Sequence, residues 1–493
     1  MSKSTELDAK MKFGLKSFIT VVAILLAVLV FVGILTYVIP AGRYTIYTTD
    51  PAKAELPFYQ YTTDESLDKQ IVEGSYVELL NEENTTRLPI YRWITAPFEA
   101  LIFGSSGANM IMIIALLLVL GGTFKVLENS GGLVSLVRVI MVKLRSKRFV
   151  AIWVITGVIM ILSAVFGLQE QLLILYPVFA MLCTALNWSR FTAISFVLIA
   201  SGVGFTTAIT NPLTIGMASI AAGTSVTDGL WYRCIIFCVM YVITSLFLVH
   251  CAKRDELRVT EKFDVDNFVM VSDEEHKADV RKAKMIVALF SIALLSVIIT
   301  TSIESLRSLA MVFMAAAFIV GTVIIGRLLL GSYKNLGKSF IGGVKDVLPS
   351  IVIIMIAFGI TYIASEGNIL HTIFHYFYNA VSGISPYLAV VLLYAFILII
   401  EFFIPSASAK AVLIIPMLTL APIEGISNTV IILTYLFADG YTNVLYPTCG
   451  TLLVGLGLAD VSFAEWFKKT ILFQLFLMAL SIGFLMLAVA IRL

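Results

Sequence analysis

Charge is what this chain of 493 residues has little of: Asp, Glu, Lys and Arg together make 13% of it, against 59% hydrophobic residues. A soluble domain carries roughly a quarter charged residues, so the composition excludes one. The alternating segments of about ten residues that mark outer-membrane barrels do not dominate either. Thirty-four basic residues balance 32 acidic ones, and a net charge of +2 gives no nucleic-acid footprint. No Walker A sequence occurs, so ATP does not drive the protein through this chain. Cysteines number only five, and Cys234 with Cys238 is an i,i+4 pair lacking a second ligand pair; all five read as small buried hydrophobes. Lys3, Lys10, Lys12 and Lys16 precede an apolar stretch over 17–38 that is too long for a signal-peptide core and has no A-x-A-like exit. It reads as the first membrane helix.

What the chain does have is a series of apolar runs of about 20 residues, recurring from Ile19 to Leu493, each about long enough to cross the hydrocarbon core as a helix. The fold class is therefore all-α integral membrane. Basic residues in short loops set orientation. They cluster in the N-terminus, at 143–148, at Arg190, in 252–284 with eight Lys or Arg, at Lys334, Lys338 and Lys345, and at Lys468 and Lys469. All of these are expected inside. The segment 40–95, with nine acidic and five basic residues, reads as an outer loop.

These constraints leave two apolar stretches that cannot cross. The segment 149–186 has both ends inside, and 386–423 has both ends outside, so each is a re-entrant hairpin. Their tips fall at Gly167-Leu168-Gln169-Glu170 and Pro405-Ser406-Ala407-Ser408-Ala409-Lys410. Non-helical backbone at that depth survives only when buried in protein or lining a wet cavity. The order of elements then repeats with opposite orientation, 17–251 against 309–491, joined by the cytoplasmic loop 252–284 and a linking helix at 285–300. Inverted repeats of this kind are a signature of secondary transporters. Nine crossings and two hairpins result, with the N-terminus cytoplasmic and the C-terminus outside.

Each half also holds a broken helix. One spans 191–222 and contains GVGFTTAITNPLTIG, Gly202 to Gly216; the other spans 428–456 and contains FADGYTNVLYPTCG, Phe437 to Gly450. Proline cannot donate a backbone hydrogen bond and disfavours helix in the residue before it. Gly204 with Pro212, and Gly440 with Pro447, are accordingly expected to break these helices. A break offers helix-end amides to an anion and carbonyls to a cation.

Four ionisable residues lie within apolar segments and are candidates by default: Glu170, Glu401, Lys410 and Asp439. Glu170 and Asp439 suit an ammonium or guanidinium; an internal ion pair such as Glu401 with Lys410 is the structural alternative. Lys125 and Glu128 sit near a helix end where snorkelling suffices. His371 and His375 lack the Glu of a zinc protease motif and read as surface residues. Tyr441, Tyr446 and Phe205 flank the breaks, where packing serves as well as substrate contact.

At LTYVIPAGRY, TNPLTIGMA (210–218), PSASAKAVLIIPM (405–417) and ADGYTNVLYPTCGTLL (438–453) with Trp466, the chain resembles the YfcC-type family of the ion-transporter superfamily. That group includes proteins proposed as basic amino-acid antiporters and relatives of anaerobic four-carbon dicarboxylate carriers. The resemblance covers nearly the whole chain. It implies an elevator-type carrier, usually a homodimer, often coupled to Na+, here near Asn211 and Asn443, or to H+. Carried over residue by residue, it points to Gln169, Thr210, Asn211, Ser406, Ser408, Thr442, Asn443 and Thr448, alongside Glu170, Lys410 and Asp439. Lys410 departs from the glycine-rich tip with a polar amide found in many relatives. Its ammonium could fill a cation site or hold a substrate carboxylate. The expected function is transport of a small carboxylate-bearing metabolite, a basic amino acid by antiport, or alternatively a four-carbon or short-chain carboxylate. A remote alternative is an intramembrane hydrolase using Ser406 or Ser408 with Lys410 as a dyad. No organic cofactor is expected.

Overall fold

The computed structural model describes residues 15–64, 72, 74–79, 88–104, 107–144, 147–258, 268, 270–303, 306, 309–381, 383–404, 407–420 and 425–493. The chain is built from helices α1 (Leu15–Val38), α2 (Ile90–Ile102), α3 (Gly107–Asn129), α4 (Gly132–Leu144), α5 (Arg148–Phe166), α6 (Tyr176–Ala185), α7 (Arg190–Thr206), α8 (Met217–Ala222) and α9 (Leu230–Arg258). Then follow α10 (Asp273–Ser302), α11 (Ala310–Leu330), α12 (Tyr333–Glu366), α13 (Ile369–Val381), α14 (Pro386–Phe403), α15 (Ala407–Leu420), α16 (Asn428–Thr442), α17 (Gly450–Ala459) and α18 (Phe463–Ala490). Among the described residues, eight helices are long and apolar enough to cross a membrane. Six coincide with expected crossings; the other two, α5 and α14, are entry arms of the expected hairpins. The broken helices fall into pieces too short for that criterion.

Several boundaries move. Helix α2 lies partly inside the segment expected as an outer loop, because Pro97 and neighbouring polar residues disguise an amphipathic helix whose Ala96, Pro97 and Ala100 are buried. The linking helix starts not at 285 but at Asp273, where Ser272 and Glu275 form a reciprocal capping box. The crossing expected over 346–364 starts at Tyr333 and carries Pro349 in its interior. Cys234 and Cys238 are exposed on α9, whose outer face the apolar pattern does not distinguish from its inner one; Cys183 and Cys449 are buried.

The helices pack as two groups. In one, α12 lies against α1, α2 and α3, while α11 packs on α3 and α10. In the other, α7 lies against α5, α6, α9 and α16, and α16 against α14 and α18. Lipid is as apolar as leucine, so close backbone approach drives helix association in a bilayer. The crossing of α3 with α12 depends on it: a Cβ on Gly121 or Gly343 would strike the carbonyl of the other. Thr322 of α11 bonds Thr123 of α3 at 2.8 Å beside it.

Outside these groups, the segment after α1 forms two small sheets. Strand β1 (Gly42–Arg43) pairs antiparallel with β4 (Val77–Glu78), and β2 (Ile46–Thr48) pairs parallel with β3 (Tyr59–Tyr61). They dock on α13 through the two histidines expected at the surface. The Tyr44 amide donates to His371 Nδ1 at 3.0 Å, Tyr44 Oη lies 3.1 Å from His375 Nδ1, and the Tyr76 ring stacks on His375 at 4.0 Å. Both histidines are half-buried because the sheet covers α13.

Two predictions follow from this packing. Gly343→Val should cost about 1–3 kcal/mol by overpacking the crossing, read as a lower melting temperature of the solubilised protein; a wild-type melt would refute the close approach. Burial, helped by the Arg43 charge, holds the His371 imidazole at about 4, below its ordinary 6.5. Its neutral form is therefore favoured in the docked state. Docking is intact above about pH 6.5 and weakens as pH falls towards 4, where the undocked histidine takes a proton that the docked one refuses. Proteolysis within 40–79 should rise across that window at a faster rate than in His371→Asn, which keeps an acceptor at the δ position without titrating. Identical pH profiles for the two proteins would sink the assignment.

Candidate functional site

The segment expected as the first hairpin turns where α5 ends. Gly167 caps it in the left-handed conformation (φ 72°), and the Ser163 hydroxyl holds the Leu168 carbonyl across the turn. A 3-10 segment, Glu170–Leu175, leads into α6. In the segment expected as the second hairpin, α14 ends at Phe403 and α15 begins at Ala407; Pro405 and Ser406 lie outside the described residues, as does the side chain of Ser408.

The broken helices differ from expectation in where they break. Gly204 and Gly440 lie inside α7 and α16, which run on to Thr206 and Thr442. Their role is contact. A Cβ on Gly204 would sit 2.6 Å from the Met160 carbonyl of α5, and one on Gly440 would strike Thr206 and the Gly202 carbonyl. The breaks themselves begin after the threonines. In the first, Asn211 accepts from the Leu213 amide at 2.8 Å and Pro212 opens a π-turn to Gly216. The amides of Ile209, Thr210 and Asn211 all point to the Ala164 carbonyl, at 2.8, 3.2 and 3.1 Å. These amides are thus spent on an orphan carbonyl at the end of α5 and are not offered to an anion. In the second break, Pro447 lies in the unwound stretch, and the Val444 carbonyl receives Trp466 Nε1 at 2.8 Å and Gln474 Nε2 at 3.1 Å. Cys449, before α17, supplies no side-chain cap.

On this frame the last turn of α16 gathers the polar side chains. Lys410 of α15 points its ammonium between Glu401 of α14 and Asp439 of α16, in contact with the Glu401 carboxylate and 2.5 Å from Asp439 Oδ1. All three side chains are sealed from solvent, at 0% exposure for Lys410 and Asp439 and 1% for Glu401. Thr442 Oγ1 donates to Glu401 Oε2 at 3.2 Å, and the Lys410 ammonium lies 5.6 Å from the Tyr435 ring centroid. Glu401 Oε1 and Asp439 Oδ2 have no partner. Four residues on, the same distance as one helical turn, Asn443 Nδ2 donates to Gln169 Oε1 at 3.1 Å and so ties the first hairpin tip to the second break. Glu170, partly buried, accepts from Thr451 Oγ1 at 3.4 Å in the first turn of α17, where a negative charge is favoured.

The structure therefore brings Gln169, Glu170, Lys410, Asp439, Thr442 and Asn443 together around α16 and α17. Asn211 packs under the Gly167 turn. Thr210 is exposed and bonds the Val165 carbonyl at 3.2 Å. Gln169 Nε2, Asn211 Nδ2, Thr214 Oγ1 and Thr448 Oγ1 are among the buried polar atoms that stand unpaired. Of the flanking aromatics, Tyr441 bonds Ser481 at 3.0 Å and Tyr446 bonds the Leu398 carbonyl at 3.0 Å, both packing roles. Lys125 pairs with Glu128 at 3.1 Å and reaches Asp346 at 3.7 Å. Sequence reasoning missed Arg233, buried one turn into α9, with its guanidinium on the Val226 carbonyl and Nε unpaired. A lone arginine inside an apolar run was the available signal.

The family model for DcuC, described as a C4-dicarboxylate anaerobic carrier, matches residues 18–490. The proposed basic amino acid antiporter YfcC of Escherichia coli K12 is 25% identical over 406 residues, covering 78% of this chain and 79% of that protein. A Haemophilus influenzae Rd protein without an assigned function is 24% identical over 505 residues, covering 94% and 95%. The YdaH transporter of Alcanivorax borkumensis aligns over 96% of this chain and 97% of its own, at 16% identity and a TM-score of 0.41. For Neisseria gonorrhoeae MtrF, which illuminates a class of antimetabolite efflux pumps, the values are 94%, 94%, 15% and 0.41.

Removing one partner of a buried ion pair leaves an uncompensated charge and costs about 3–5 kcal/mol. In Na+-free buffer, Lys410→Met should melt well below wild type, and adding Glu401→Gln with Asp439→Asn should recover most of the loss. A single variant that melts like wild type would show that the ammonium neutralises nothing.

Proposed function

The chain belongs to the DcuC family of membrane carriers, and from that premise we propose that it is a secondary transporter exchanging amino acids with cationic side chains across the cytoplasmic membrane. The observation that carries this reading is the charge balance of the sealed triad. Two carboxylates face one ammonium, so with both carboxylates ionised one negative charge stands in excess, and an ionised Glu170 adds another without a basic partner among the described residues. An unpaired charge in a low-dielectric interior is costly and calls for a cationic visitor. A substrate ammonium or guanidinium answers that call. Lys410 is occupied by two carboxylates and is not free to hold a substrate carboxylate. The name carried by the E. coli relative agrees.

Gln169 Nε2 and Asn211 Nδ2 are donors without acceptors, which suits the carboxylate every amino acid carries. The same pair favours the second reading, a four-carbon dicarboxylate as in the family description. A hydrolase draws no support here, since a dyad base must be a neutral amine and Lys410 is salt-bridged twice.

The transport step in this proposal is alternating access of the elevator type in a homodimer. The hairpins and broken helices move as one body against α1, α3, α11 and α12, with the N-terminus cytoplasmic and the C-terminus outside. The hydrogen bond from Asn443 to Gln169, with the unpaired donors beside it, would form part of the substrate seat in that body.

Counterflow in proteoliposomes tests the reading. Labelled arginine or ornithine should exchange saturably against internal substrate, and Asn211→Ala or Asn443→Ala should lower exchange by at least tenfold while expression and dimerisation stay intact. Saturable exchange of succinate without arginine exchange would hand the assignment to the dicarboxylate reading. Retained exchange in both variants would place the site elsewhere.

A further inference from the structure

We propose that the Lys410 ammonium is a built-in substitute for a bound monovalent cation, and that the cage of Glu401, Asp439 and Thr442 becomes a Na+ site when that ammonium is removed. The cage is assembled from three elements: α14, which carries Glu401, α15, which carries Lys410, and the last turn of α16, which carries Asp439 and Thr442. The ammonium lies in contact with the Glu401 carboxylate and 2.5 Å from Asp439 Oδ1, and the Thr442 hydroxyl sits 3.2 Å from Glu401 Oε2. Glu401 Oε1 and Asp439 Oδ2 are buried and unpartnered, so the cage holds more oxygen ligands than one ammonium uses. Oxygen ligands, two of them carboxylates, are what a hard cation takes. No competing basic side chain among the described residues pairs with either carboxylate, and the Tyr435 ring faces the ammonium at 5.6 Å.

Two consequences follow. With the cation tethered, the site is partly neutralised in every conformation, so the carrier needs no Na+ from the medium to occupy it. A lysine on the return arm also travels with the hairpin, whereas a free ion could leave. The inference deepens the transport reading by naming how the same site is coupled. Its binding arm does not depend on that reading.

The test uses the full-length protein, purified and placed in nanodiscs. Melting temperature is followed while NaCl replaces choline chloride at constant ionic strength, together with equilibrium binding of radioactive Na+. Wild type should show no Na+-specific shift and no stoichiometric binding. Lys410→Ala should melt lower in choline, regain several degrees with saturating Na+, and bind about one Na+ per chain. Lys410→Ala with Asp439→Asn should lose that response. Lys410→Gln, which fills the volume and adds an amide oxygen, should respond as Lys410→Ala does. The proposal is overturned if wild type is stabilised by Na+ to the same extent, or if the folded variants ignore Na+. It is equally overturned if neither variant folds even in Na+, since the filled cage should restore them. In proteoliposomes, exchange by Lys410→Ala should rise at least tenfold with Na+ while that of wild type stays flat. Specific Na+ binding by the variant with no exchange of any tested substrate by wild type would count against the transport reading and still support the cage.

Discussion

One ammonium, sealed between two carboxylates in the apolar interior, joins three elements by charge: the two helices α14 and α15 and the last turn of α16. Lys410 belongs to the return arm of the second hairpin, Glu401 to the entry arm and Asp439 to α16. Their contact sets the depth of the hairpin and aligns it with the last turn of α16. Hydrophobic residues of the same volume are often as stabilising as a buried ion cluster. Stability therefore does not explain why three charges are kept in the interior. A cage with spare oxygens has a use that an apolar cluster lacks: it accepts or releases positive charge.

That cluster works only because α16 is held close to its neighbours. Gly440 and Gly202 permit α16 and α7 to cross in near backbone contact, and Gly204 brings α7 onto the Met160 carbonyl of α5. Thr206, pressed against Gly440, is the last residue of α7, so the first break starts where this crossing ends. The glycines make the contact, and the prolines stand beyond the helix ends, Pro212 at the start of the π-turn and Pro447 in the unwound stretch.

The polytopic helical class was legible from composition, and the two helix interruptions from Pro212 and Pro447. The Glu401–Lys410 pair was legible as well, being two opposite charges on arms of one hairpin. That Asp439 joins it was not, because the joining contact lies 29 residues along the chain and depends on how α15 lies against α16. Helix α2 was hidden by Pro97 and by the charged residues Arg92 and Glu99, which bond each other at 2.7 Å and so cost little in an amphipathic helix. The histidines of α13 looked solvent-facing because a helical pattern shows which face is polar and not what covers it. Here the covering element is a sheet from 40–79, more than 290 residues earlier in the chain.

The two breaks look equivalent in sequence and are not equivalent in chemistry. In the first, the amides of 209–211 are consumed by the Ala164 carbonyl and that of Leu213 by the Asn211 side chain, so the break is locked to the end of α5. In the second, the amides at the start of α17 have no side-chain cap, and Glu170 from the opposite hairpin stands at that first turn. A carboxylate at a helix N-terminus is stabilised where it stands, so Glu170 helps to hold the first hairpin against α17 even without ligand. The polarity of the site thus follows from which backbone groups are already satisfied. The turn after α5 presents amide donors beside an anchored carboxylate, and the start of α15 presents a caged cation with oxygens to spare. In the proposed function, a zwitterionic substrate with an additional positive charge would complement both ends at once, whereas a dianion would meet acceptors it cannot use at the Glu401–Asp439 end.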